Sequence, residues 1–473
     1  MTGKTETRSK LFTLLLLSSA VLPCCKAASA ADPATPATGP APIQYIRYED
    51  DLSWYADPKN RELFIDKLKY IPISDGGYIS FGGDLRTYYE NYTPPNFGMR
   101  NLGRNEWLAT RALFHADIKS GFGPRAYIEL GREEIAGKKG PFTPNDESHI
   151  DLQQGFIDLP VEVGGGTVTA RVGRQEFFLG SGLFQSLAEG ANIRNAFDAA
   201  HILFNFGTVE GRVFYGHPLR QSTYAFQDAP NLDFDHYGLY GTVKSVLPGL
   251  NVDGYFFGYD RKGNRFNQGT ADEERRTVGT RLWGRSGAWD YSGDFAYQFG
   301  SFGSGDISAW GSMLSGGYSF LGAPLAPRLS VTAVAASGDK DPRKRTLNTF
   351  NPMFSLSPLL SESNSFVPMN LISLYPKVTV RPLDGLSVSA GINAMWRQSK
   401  GDGVYTVPTI LVARNSASSS SYVGTTAEFA ALWTVNHYVT LNAAYTHFKA
   451  GAALKDAGGK SFDYTRAGLL LHF

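Results

Sequence analysis

The 473-residue chain carries two cysteines, Cys24 and Cys25, adjacent and close to the N-terminus. Beyond residue 25 there is no thiol from which to build a disulfide framework. No stretch reaches 18 consecutive apolar residues, which excludes a transmembrane helix. Charge is scarce as well: 19% of residues are Asp, Glu, Lys or Arg, against about 25% in an average domain. The 45 basic residues face 44 acidic ones, so no basic excess exists to neutralise nucleic-acid phosphates. His115, His201, His217, His236 and His437 lack metal-ligand spacing, so neither a metal nor another cofactor is expected. No segment sets a nucleophile beside a histidine and a third orienting group, so an enzyme is not expected either. What the chain does have is 52 glycines and 13% aromatic residues, a composition opposite to that of a disordered polymer.

The N-terminus reads as a targeting segment. Lys4, Arg8 and Lys10 precede an apolar run from Leu11 to Leu22, and the small residues Ala27, Ala28, Ser29, Ala30 and Ala31 follow. A basic region, a short apolar core and a small-residue site together form a secretory signal peptide, expected over residues 1–31 with cleavage after Ala30 or Ala31. Twelve residues rise about 18 Å as a helix, too short for a hydrocarbon core of about 30 Å. A lipoprotein needs a small residue before its modified cysteine, and Pro23 precedes Cys24. Cleavage removes Lys4, Arg8, Lys10, Lys26 and Glu6, leaving 41 basic residues against 43 acidic. Residues 32–44 are Ala/Pro-rich and read as a disordered linker. Residues 45–77 read as a compact N-terminal periplasmic segment with room for one short helix.

From about Tyr78 to Phe473 the pattern is period-2 alternation. Ile79, Phe81, Leu85, Thr87 and Tyr89 alternate with Ser80, Gly82, Asp84, Arg86, Tyr88 and Glu90; Val168, Ala170 and Val172 alternate with Thr169, Arg171 and Gly173. Such strands run to about ten residues, the length of a tilted membrane-spanning strand, where soluble strands average five or six. Aromatic residues placed near strand ends (Tyr88, Tyr89, Phe256, Phe257, Trp396, Trp433, Tyr445) fit interfacial girdles. The last strand ends in Leu469, Leu471 and Phe473, resembling the C-terminal signal by which outer-membrane barrels engage their assembly machinery. In hydrocarbon every backbone N–H and C=O must be paired internally, so such a sheet must close. The fold expected over residues 78–473 is therefore all-β: a single transmembrane antiparallel barrel of 16 to 18 strands in the bacterial outer membrane, surrounded by lipid. Polar insertions at 137–148, 216–235, 260–274, 336–370 and 398–421 are expected as long extracellular loops. The 336–370 loop, with Lys340, Arg343, Lys344 and Arg345 ahead of Phe350, is the candidate gate folding over or into the lumen.

Strand parity sets Arg86, Arg111, Arg125, Arg171, Arg281, Arg328 and Arg397 opposite the lipid-facing residues. On the lipid face each would cost roughly 2–4 kcal/mol at the midplane. Arg86, Arg111, Arg171, Arg174, Arg281 and Arg397, with Asp84 and Glu90, are thus the candidate lumen path. Arg174 has the wrong parity and requires a bulge or a strand-end position. The plainer role for any one of these arginines is a wall ion pair with a lumen acid such as Asp84, Glu90, Asp117, Glu129, Glu210, Asp294 or Glu428.

Three segments resemble one family. Gly82-Gly83-Asp84-Leu85-Arg86-Thr87-Tyr88-Tyr89-Glu90 is similar to the opening strand of the bacterial alginate-export outer-membrane proteins, with Asp84 where that family has Glu. Arg171-Val172-Gly173-Arg174-Gln175 resembles a second strand of that family, and Ser337-Gly338-Asp339 followed by Thr349-Phe350-Asn351-Pro352 resembles one of its loops. The resemblance implies an 18-stranded barrel whose narrow lumen carries an arginine-rich path for a polyuronate. The function expected is passive, electrostatically guided passage of an anionic polysaccharide such as alginate, or of its oligomers. The alternatives are a general or small-anion porin, a structural barrel or an outer-membrane hydrolase.

Overall fold

The computed structural model describes residues 39–100, 102–407 and 409–473. The expected signal segment and the linker up to residue 38 lie outside them.

The alternating segments form eighteen strands. The first six are β1 (Gly77–Thr93), β2 (Asn105–Lys119), β3 (Arg125–Ala136), β4 (Ser148–Val163), β5 (Gly166–Gln175) and β6 (Phe197–Asn205). Next come β7 (Val209–Arg220), β8 (Phe234–Leu247), β9 (Leu250–Phe266), β10 (Gly269–Ser286), β11 (Trp289–Phe302) and β12 (Gly305–Ser319). The last six are β13 (Arg328–Ala336), β14 (Leu371–Leu383), β15 (Leu386–Arg397), β16 (Tyr422–Asn436), β17 (Val439–Ala450) and β18 (Phe462–His472). Each pairs antiparallel with its sequence neighbour. β18 returns to β1 in a register running from Asp84↔His472 to Thr93↔Asp463, and the ladder closes. Closure leaves no strand edge unpaired, the one arrangement that hydrocarbon tolerates for a sheet.

The two faces divide as the alternation requires. On β5, Val172 is 63% exposed while its neighbour Arg171 is 5% exposed. Leu239, Val278, Leu314, Leu374, Ile392 and Phe429 continue the outer apolar belt around the barrel. Two of the aromatic pairs read as girdle residues split between the faces: Tyr89 and Phe256 face outward, whereas Tyr88 and Phe257 are buried inside. Adjacent residues of a strand point to opposite faces, so neither pair can lie wholly in the lipid belt.

Tight turns such as Gly164-Gly165, Pro248-Gly249 and Asp384-Gly385 close one end, and long connections close the other. Barrels of this kind keep short turns in the periplasm and long loops outside the cell. Residues 260–274 are not a loop. β9 and β10 continue through them as a hairpin turned by Asn267 and Gln268, with Asp260↔Glu274 and Arg261↔Glu273 in register. Their polar sequence reflects pairing within the hairpin: Arg276 bonds Asp260, and Asn264 donates to Glu273.

The N-terminal segment contains the expected short helix, Phe64–Leu68, and a short strand, Ile71–Ser74, that pairs with the start of β1. Its first residues do not stay outside the barrel, because Arg47 and Tyr48 are buried within it. Arg47 donates to Asp84 (2.8 Å), to the Gly83 carbonyl (2.9 Å) and to the Phe473 carbonyl (3.1 Å), tying this strap across the junction of first and last strands.

Candidate functional site

The barrel interior holds several inward-folded segments, among them the strap around Tyr45–Asp50, the connection 176–196 between β5 and β6, and the connection 337–370 between β13 and β14, with Phe97, Val404 and Leu454 of three other connections packed into the same buried cluster. The two long connections are stitched together by backbone bonds: Phe354 N–H to the Phe184 carbonyl (3.0 Å), Leu356 to Gly182 (2.7 Å) and Gly190 to Ser357 (2.8 Å). Phe350 is fully buried, its ring 5.5 Å from that of Phe184. It lies flat on β12 where Gly311 has no side chain; a Cβ there would come within 2.6 Å of the Phe350 ring. Tyr48 donates to the Glu176 carbonyl (2.7 Å) and Arg194 to the Tyr45 carbonyl (3.1 Å), so the strap and the 176–196 connection hold each other. A cavity of about 10 Å³ beside Leu179, Phe184, Tyr240 and Asp294 has room for roughly one water.

Of the candidate path residues, Arg86 and Arg111 come together. They sit directly opposite one another on β1 and β2, a like-charge pairing that is unfavourable without a counter-ion. The counter-ion is Glu189 of the 176–196 connection: Arg111 bonds its carboxylate, Arg86 lies at 3.3 Å, and Arg194 of the same connection at 2.5 Å. Arg86 also holds the Glu189 carbonyl (2.6 Å), the Ala191 carbonyl (2.9 Å) and the Asn192 side chain (3.1 Å). Burial alone would raise the Glu189 carboxyl, but Arg111, Arg194 and Arg86 together draw it down to about 2. On the far side of Arg86, the Tyr88 ring separates its guanidinium (4.4 Å from the ring centre) from that of Arg466 on β18 (5.4 Å). Arg466 is also neutralised by a loop carboxylate, Glu362 of the 337–370 connection, at 2.7 Å. A stripe of Arg111, Arg86, Tyr88 and Arg466 thus crosses three adjacent strands, covered by glutamates from both inward loops.

The remaining path residues stand apart from this stripe, each bound to the wall or to one loop. Arg171 forks onto Asp158 of β4 (2.6 and 2.8 Å), its guanidinium 4.3 Å from the centre of the Tyr48 ring. Arg125 forks onto Asp117 in the same way (2.7 and 2.8 Å). Arg281 meets Asp253 (3.4 Å) and the Ser292 hydroxyl (2.8 Å). Arg397 holds the 398–421 loop through the carbonyls of Ser418 (2.7 Å) and Asp402 (3.0 Å). Asp84 anchors Arg47 and His472, and Glu90 accepts from Trp107 (2.9 Å) and Tyr464 (2.7 Å). Arg174 lies off the lumen path, in the strand-end position that was one of the two its parity called for. The register passes through it unbroken, without a bulge, one residue before β5 ends. Its outward guanidinium is held at the rim by Asp198 (2.8 Å), the Leu152 carbonyl (3.0 Å) and Asp151 (3.4 Å). Of the gate residues, Phe350 is inside, while Lys340, Arg343 and Arg345 are exposed. Arg343 pairs with Asp341 (3.0 Å), and Arg345 bonds the Ser304 carbonyl.

Sequence reasoning passed over Glu189, Arg194, Glu362 and Arg466. The signal for the first two was the 176–196 stretch itself, where Phe177, Leu179, Leu183, Phe184 and Leu187 make an apolar run without strand alternation. An apolar connection between two barrel strands has to be buried somewhere, and here Phe177, Leu179, Leu183, Phe184 and Leu187 are buried inside the barrel.

The family model described as Alginate export matches residues 77–467. No curated protein matches the chain. Among solved structures, Pseudomonas aeruginosa OccK11 (OpdR) aligns at 13% identity over 85% of this chain and 99% of that one, with a TM-score of 0.56. Acinetobacter baumannii OccAB2 aligns at 9% identity over 84% and 98%, with a TM-score of 0.57. Pseudomonas aeruginosa OccK2 (OpdF), solved in complex with glucuronate, aligns at 9% identity over 84% and 96%, with a TM-score of 0.52. At such identities the likeness is one of fold: an outer-membrane porin barrel.

Proposed function

The chain belongs to the alginate export family, and from that premise we propose that this outer-membrane channel passes an anionic polysaccharide of the polyuronate class, guided by arginines of its lumen. The carrying observation is the stripe of Arg111, Arg86 and Arg466, whose carboxylate partners come from loops. A polyuronate presents one carboxylate per sugar, and a guanidinium fork matches that group better than an ammonium does. Once the loops withdraw and water enters, a guanidinium at 4 Å attracts a carboxylate by only about 1–4 kcal/mol. Several weak sites in series let a polyanion enter and still leave. OccK2, of the same fold, is a complex with glucuronate, itself a uronate monomer and so of the chemical class proposed here. A small-anion porin would use the same arginines, and the response to a polymeric uronate separates the two readings.

Planar-bilayer recording tests the reading. The purified channel is expected to prefer anions over cations, to be blocked by an alginate hexasaccharide, and to lose part of both properties on Arg86→Ala. Anion preference without any response to the hexasaccharide would favour the small-anion porin, and cation preference untouched by Arg86→Ala would remove the arginine path.

A further inference from the structure

We propose that Glu189 and Glu362 are tethered occupants of carboxylate sites on the lumen wall, holding the places that successive uronate carboxylates of the passing chain take when the loops withdraw. The inference rests on the polyuronate reading and adds to it the sites and their means of closure.

Three observations carry it. First, the barrel does not leave its arginines to loops as a rule. Arg171 has Asp158, Arg125 has Asp117, Arg281 has Asp253 and Arg328 has Asp290, every partner on the wall itself. Arg86 and Arg111 instead take their carboxylate from one inward connection, and Arg466, although Glu90 of β1 stands in register with it, forms its ion pair with Glu362 of the other. Glu133 of β3 stands in register with Arg111, yet its Oε1 accepts no hydrogen bond. Second, the nest retains donor capacity: the Nε hydrogens of Arg86 and Arg111 are buried without an acceptor. A carboxylate held by three guanidiniums, two of which keep a donor in reserve, is bound as a ligand is bound. Third, a glutamate side chain ends in the same group as a uronate. Exchange therefore swaps one carboxylate–guanidinium contact for another and never leaves two opposed arginines without an anion. A neutral sugar cannot make that exchange, so the covering loops would discriminate as well as close.

The test measures current block by an alginate hexasaccharide, by maltohexaose of equal length and by glutarate, in the full-length channel, in Glu189→Gln, in Glu362→Gln and in the double variant. Heat-modifiable gel migration confirms that each barrel is folded, and Glu362→Gln serves alone should Glu189→Gln not fold. Removing a tethered competitor raises the apparent affinity by the fraction of time it had held the site, here expected to be about tenfold for the hexasaccharide in the double variant and less in each single one. Maltohexaose block stays unchanged, and Glu189→Asp, which keeps the charge, returns toward the weak binding of the parent. Hexasaccharide affinity equal in all variants overturns the proposal while leaving the polyuronate reading intact. Affinity that rises for glutarate but not for the hexasaccharide supports the tethered carboxylates and defeats the polyuronate reading instead. Conductance that rises alike for charged and neutral probes, with no gain in affinity, reduces both glutamates to structural ties.

Discussion

Arg86 and Arg171 look equivalent in the sequence, each an inward residue of an alternating strand, but they differ in what neutralises them. Arg171 is locked into a fork with Asp158 on the neighbouring strand, so Arg171→Ala strands a buried carboxylate. We expect that variant to lose about 3–5 kcal/mol of stability, seen as a lower thermal midpoint, with little change in reversal potential in a salt gradient. Arg86→Ala should do the reverse: a smaller stability loss and a clear fall in anion preference. The loop acids are also expected to make docking of the loops depend on pH. Glu189 is drawn from an ordinary value of 4.5 to about 2, so its contribution to holding the loop is complete above pH 4.5 and is lost as pH falls toward 2. Glu176, raised by burial, and Asp339, pushed up to about 6 by burial and by Asp402, run the other way. Each costs stability while ionised and recovers it when protonated on the way down to pH 4.5. Conductance is therefore expected to pass through a minimum near pH 4.5 and to rise again by pH 3, and Glu189→Gln should abolish only the acid-side rise.

The strands were legible because lipid on one side and a polar interior on the other impose a period of two that few other environments sustain. The inward loops were not. Their burial depends on a volume that exists only once eighteen strands have closed, so an apolar stretch such as Phe177–Leu187 carries no local sign of where it packs. The 336–370 loop was recognisable as a lumen candidate, but its five named residues divide: Phe350 is buried inside, and the cations Lys340, Arg343, Lys344 and Arg345 are exposed. The same limit applies to the stripe. Parity placed Arg86 and Arg111 inside, whereas the carboxylate that joins them comes from about 80 to 100 residues farther along the chain. Phe350 is fully buried against Phe184 and Gly311, and Phe350→Ala should cost about 3–5 kcal/mol of docking energy. The barrel should stay folded by gel migration while single-channel openings become longer and more frequent. Unchanged gating in that variant would show that the polar contacts alone hold the loops down.

The whole molecule joins a closed eighteen-strand ladder to connections folded inside it; under the proposed function the wall would carry the charge pattern and the loops would decide access. After residue 25 the chain has no cysteine, and the closed hydrogen-bond network makes disulfides unnecessary. Efflux from proteoliposomes loaded with two fluorescent hexasaccharides of equal length, one an alginate oligomer and one neutral, tests the central claim most directly. The account predicts that the alginate oligomer leaves faster, that its advantage shrinks at high salt as the arginine stripe is screened, and that Arg86→Ala removes most of it. Equal efflux of the two sugars at low salt would contradict it.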